Sequence, residues 1–154
     1  MQKPEVLAPA GSLEKLKIAV DFGADAVYIG GGKLNLRAFS DNFSNDEIIE
    51  GVKYCHDRGR KLYVTMNVFP RNHDLKGAEE YIKGLYDIGV DAIIVADPSI
   101  VSIAQEAAPD LEVHLSTQAN ITNWRATKFW YDQGVKRIVL ARELTFTEIN
   151  NIKK

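Results

Sequence analysis

A chain of 154 residues, 45% hydrophobic and 26% charged, is long enough for one domain with a sizeable core and is ordinary for a soluble globular protein. Its net charge of −2 excludes a global basic footprint for nucleic acid and leaves that role to local clusters. No stretch approaches a membrane span, the N-terminus lacks a signal-peptide pattern, and a single cysteine excludes a disulfide framework or a cysteine metal cage, so the chain reads as cytoplasmic.

The predicted elements alternate along the chain. A strand near 5–8 runs through the small-residue turn "APAGS" into a helix over 13–22, capped by Ser12. A strand over 26–29 ends on Gly30-Gly31-Gly32-Lys33, followed by Asn35 and Arg37, and Ser44 with Glu47 boxes the start of a helix over 46–57. The third strand, 61–66, places Thr65 and Asn67 on one face and leads through Arg71 and His73 to a helix over 75–88, capped by Asp74. The fourth, 92–96, meets Asp97-Pro98, a cap before a first-turn proline, and a helix over 99–107. The fifth, 112–116, opens the stretch "HLSTQANITNW" and a helix over 123–133 capped by Thr122. The sixth, 137–141, ends on Arg142-Glu143, before the capping box of Thr145 and Glu148 and a helix over 146–153. Gly23, Gly59, Gly89 and Gly134 close the first, second, third and fifth helices just before the next apolar run, and Pro109 punctuates the remaining junction.

Strict βα alternation predicts an α/β fold with a parallel sheet covered by helices. A doubly wound sheet fits that alternation too. Short, evenly apolar strands and near-identical αβ turns favour an incomplete TIM-type (β/α) barrel of six consecutive units. The expectation is a single domain over 1–154, the N-terminal part of a (β/α)8-type barrel with no second domain. The first and sixth strands are then open edges, through which a homo- or hetero-oligomer can form.

In such folds the active site lies at the C-terminal strand ends. That explains the polar cluster after Val113: His114 and Ser116 face the interior, opposite Val113 and Leu115, and Gln118 and Asn120 continue into the loop. The catalytic candidates are Asn67, Asp97, His114, Arg142 and Glu143; the substrate-binding candidates are Arg37, Ser116, Gln118 and Asn120. Lys33, Arg37, Arg71 and Arg142 suit a small anionic substrate, or RNA, on this face. Asp97 also reads as a helix cap, His114 as an interior histidine satisfied by neighbours, and Arg142-Glu143 as a rim ion pair.

Other features read as structural. Gly30–Gly32 fails the Walker pattern, since Val27 and Leu34 stand where glycine and Ser/Thr are required. Cys55 falls on the apolar stripe of its helix, and His56 beside it on the surface. Trp124, Phe129, Trp130 and Tyr131 could stack on bases, but packing of their helix onto the sheet explains most of them. No metal-ligand spacing joins His56, His73 and His114, and neither H-E-x-x-H nor G-x-S-x-G occurs.

The segments "LAPAGSLEKLKIAVDFGADAVYIGG", "TMNVFPRNHDL", "DAIIVADPSI", "HLSTQANITNW" and "KRIVLAREL" together closely resemble the N-terminal region of the collagenase-like U-32 peptidase family, from about residue 5 to 149. The resemblance implies enzymes of oxygen-independent hydroxylation of tRNA, rRNA or a ubiquinone precursor, with prephenate as oxygen source for the RNA-modifying members. It also implies an iron–sulfur cluster held by four cysteines in a full-length member, downstream of the matched region; with Cys55 alone, no cofactor is expected in this chain, and no catalytic residue is carried over. Collagenase-like peptidase activity, as the family name states, and a non-catalytic half-barrel binding a partner chain are the alternative readings.

Overall fold

The computed structural model describes residues 3–35 and 42–153. The elements follow in the order β1 Leu7–Ala10, α1 Leu13–Asp21, β2 Ala26–Gly30, α2 Asn45–His56, β3 Lys61–Met66, α3 Ala78–Ile88, β4 Ala92–Val95, α4 Pro98–Ala107, β5 Glu112–Leu115, α5 Trp124–Asp132, β6 Arg137–Ile138 and α6 Phe146–Ile152. A short 3₁₀ turn, Thr117–Ala119, lies between β5 and α5. All neighbouring strands pair in parallel, in sheet order β1-β2-β3-β4-β5-β6. A flat sheet of this kind would hold its edge strands about 24 Å apart. Here Arg137, at the start of β6, hydrogen-bonds Glu5, just before β1, so the sheet curls into an incomplete TIM-type barrel.

Alternation along each strand gives two cores. The outward faces carry Val27, Ile29, Leu62, Val64, Ile93, Val95, Val113 and Leu115, which pack under the helices with Leu16, Ile48, Ile82 and Ile100. The inward faces form a smaller cluster of Ala26, Tyr63, Ala92 and Ile94 with Leu7 and Tyr28.

At the N-terminal face the G-x-D-A turns repeat one device. Asp25 accepts from the Val6 N–H at 3.0 Å and from Arg60 at 2.6 Å. Asp91 accepts from the Leu62 N–H at 2.8 Å and lies 3.0 Å from His56. Each carboxylate thereby fastens its own strand to the start of the preceding one.

Several boundaries differ from expectation. Strand β1 starts two residues late because Val6 gives its N–H to Asp25 and its carbonyl to Asp25 and Ala26, anchoring the chain before the ladder begins. Helix α3 is capped at Gly77, in the left-handed region at φ 76°; Asp74 instead accepts from the Arg71 N–H at 2.8 Å within the preceding turn. Asn123, not Thr122, caps α5. β6 stops at Ile138: the Val139 N–H still reaches the carbonyl of Leu115, where β5 ends, and the Ala141 N–H then goes to Ile121 beyond the turn. Helix α5 corrects its reading more sharply. None of its residues is buried; Trp124, Phe129 and Tyr131 are exposed, and only Trp130 of the four aromatics packs on the core.

Among the described residues no helix is long and apolar enough to cross a membrane.

Candidate functional site

At the C-terminal end of the strands lies a cleft of about 650 Å³, within the range of small-molecule sites. Leu7, Tyr28, Ile94 and Val139 supply its apolar wall. Its polar wall comes from the ends of β3 and β5. Thr65 is buried and gives its hydroxyl to the Ile29 carbonyl at 3.0 Å. One pleat higher, Asn67 Nδ2 donates to Gln118 Oε1 at 2.8 Å, and Ser116 Oγ donates to the same oxygen at 2.8 Å. Both fix the Gln118 amide with its oxygen consumed, and its Nε2 donates to none of the described residues. Ser116 also caps the 3₁₀ turn that carries Gln118, and Asn120 ends that turn in the left-handed region, which asparagine tolerates.

Six of the nine candidate residues, Asn67, Ser116, Gln118, Asn120, Arg142 and Glu143, line this one cleft. Arg142 and Glu143 are exposed and form no ion pair among the described residues, so the rim pair expected between them is not made. Asp97 stands apart from the lining. It is the N-cap of α4, accepting from the Ser99 N–H at 2.9 Å and from the Ser99 hydroxyl. Arg37 lies outside the described residues.

His114 points inward, one pleat below Ser116, and is 1% exposed. Its ring meets Tyr63 edge-on at 4.8 Å between centroids, and Nε2 is 3.1 Å from Glu112. Burial lowers its pKa, against the opposing pull of Glu112. Around it runs a network that the sequence did not reveal: Arg137 binds Glu5 through both amino groups, and Tyr63 donates to the same carboxylate at 3.2 Å. The Arg137 hydrogen bond holds the Glu5 carboxyl below its ordinary pKa, and burial pushes the Tyr63 phenol up to about 12. The outward glycine loop is explained by packing: a Cβ on Gly31 would collide with the buried Tyr81 hydroxyl and with Val64.

Among the described residues no three His, Cys, Asp or Glu side chains gather as metal ligands. A four-cysteine iron–sulfur cluster does not fit this chain's donors. Its one cysteine, Cys55, is fully buried on α2, with burial pushing the thiol up to about 11, whereas a ligand must be thiolate.

Comparison with known proteins agrees with this architecture. The tRNA hydroxylation protein P1 of Bacillus subtilis is 52% identical over 153 residues, 99% of this chain and 36% of that protein. A tRNA hydroxylation protein P of Helicobacter pylori is 45% identical over 155 residues, 100% of this chain and 37% of that protein. The chain thus spans a little over a third of the length of these relatives. The solved U32 peptidase Mk0906 superposes with a TM-score of 0.75 at 18% identity, over 99% of this chain and 67% of that one, a likeness of fold alone. The family model described as peptidase family U32 matches residues 11–154. The chain belongs to peptidase family U32.

Proposed function

We propose that this chain is the N-terminal barrel portion of a cytoplasmic tRNA hydroxylation protein, and that its cleft holds the target nucleoside. The observation that carries this reading is the 52% identity to the Bacillus subtilis tRNA hydroxylation protein P1 across 99% of the chain. The cleft's chemistry supports it. Amides and hydroxyls of Asn67, Ser116, Gln118 and Asn120 can hydrogen-bond a base edge or ribose, and Arg142 at the rim suits an anionic co-substrate. Gln118 serves as donor to the substrate, with Asn67 and Ser116 positioning its amide.

In this reading the edges of β1 and β6 pair with further barrel strands, and the iron–sulfur cluster uses cysteines outside this sequence. Peptide hydrolysis, which the family name suggests, finds less support. Ser116 spends its hydroxyl on Gln118, His114 is engaged with Glu112, and Cys55 lies away from the cleft lining.

The test is complementation of a deletion strain with the full gene, with mass spectrometry of tRNA nucleosides and iron analysis of the purified protein. Loss of a hydroxylated nucleoside on deletion, its return on complementation and bound iron are expected. Unchanged tRNA nucleosides would sink the reading.

A further inference from the structure

Large aromatic side chains stand exposed where chain segments leave the mouth of the barrel. Trp124 is the first residue of α5 and Phe146 the first of α6, 51% and 86% exposed, and Phe69 in the loop after β3 is 61% exposed. Helix starts and the loops after strands lie at the C-terminal strand ends, so all three belong to the face on which the cleft opens, outside its lining. Trp124 is tied to it directly, since Thr117, Gln118 and Asn120 in the preceding segment line the cleft.

Unpaired cations among the described residues occur at both ends of the sheet, Lys61 and Lys136 at the N-terminal end, and five of them stand on this face. Lys17, Lys53, Lys83 and Lys128 on the helices each pair with a carboxylate. Among the described residues none of Lys33, Arg71, Lys76, Arg125 and Arg142 forms an ion pair. Although the net charge of the chain is −2, these five cations stand on the face that carries the cleft, where Glu143 is an unpaired carboxylate of the lining. The Arg125 guanidinium also stands 4.9 Å from the Trp124 ring centroid, leaving both cation and ring at the surface.

We propose that Trp124, with Arg125 against its ring, is a stacking platform for an unpaired nucleobase adjacent to the nucleotide held in the cleft. The inference rests on the RNA reading above. Unpaired RNA bases stack on aromatic and guanidinium planes while cations follow the phosphates, and exposed rings among unpaired cations supply both. An apolar protein partner would use the rings but would bury those cations at a cost.

The test uses the full-length protein and a fluorescein-labelled single-stranded RNA of roughly ten nucleotides, followed by anisotropy at several salt concentrations. Trp124→Ala should weaken binding about 5- to 100-fold with an unchanged salt slope, and Trp124→Phe should retain most of the affinity. Arg142→Ala should instead lower the slope by about one. Trp124→Leu keeps apolar bulk and guards against a folding artefact; equal binding by the Leu and Phe variants overturns the platform. Unchanged affinity in Trp124→Ala also overturns it while leaving the RNA reading intact. Failure of the wild type to bind this RNA and unfractionated tRNA defeats both. A change of oligomeric mass in Trp124→Ala with unchanged RNA affinity gives the ring to a protein interface, and overturns the proposal too.

Discussion

Asn67 donates its amide hydrogen to Gln118 Oε1 across the end of β4, joining the loops that follow β3 and β5. Because Ser116 donates to the same oxygen, the Gln118 amide is held from two sides.

On the proposed tRNA reading, Gln118→Ala in the full-length protein should lower kcat/KM for tRNA roughly 10-fold or more, the scale of one lost substrate hydrogen bond. Asn67→Ala should cost less, and the double variant should fall short of the product of the two, since both act through one amide. Gln118 is exposed, so the melting temperature should barely move. Additive losses in a double-mutant cycle would show that the two side chains act separately.

The Glu5–Arg137 pair ties the two edges of the sheet, with Tyr63 on the same carboxylate. Both partners are partly exposed, so Glu5→Gln should destabilise by only about 1–2 kcal/mol. The folded pKa of Glu5 lies below its ordinary value of about 4.5. Its contribution is therefore fully present above that value and is lost as pH falls through the folded pKa. Urea denaturation of wild type and Glu5→Gln should give stabilities that converge on acidification; a constant gap would refute this.

His114 titrates with the opposite charge but in the same direction. Burial depresses its folded pKa below about 6.5, so the unfolded chain takes up the proton first and stability falls as pH drops below that value. Glu112 and Glu5 soften the loss and Arg137 adds to it. His114→Gln should flatten the stability profile between about pH 6.5 and the folded pKa, measured by thermal melts. An equal slope in both proteins would show that the imidazole is not the source.

Cys55 is fully buried, and its thiol is pushed up to about 11. Iodoacetamide at pH 8 should leave it unmodified in the native protein and label it in urea, with the reaction followed by mass spectrometry. Rapid native labelling would contradict the burial. Cys55→Ala should keep activity and cost about 1–2 kcal/mol.

The sequence by itself determined the alternation of units and the inward face of β5, because these follow from local rules. Ser12, Ser44, Asp97 and Thr145 cap helices through bonds spanning two or three residues, and the glycines that end helices take positive φ wherever they stand. It also brought Asn67, Ser116, Gln118, Asn120, Arg142 and Glu143 to one end of the sheet, since strand ends share a side in any parallel βα fold. What a residue does there depended on neighbours distant in sequence. His114 meets the Tyr63 ring, Asn67 reaches Gln118 across 51 positions, and the Glu5–Arg137 bond joins residues separated by 132 positions. The aromatic pattern of α5 resembled a packing face, yet only tertiary structure showed that just Trp130 meets the core. Periodicity specifies which side chains share a face; only the closed geometry of the sheet decides what that face meets.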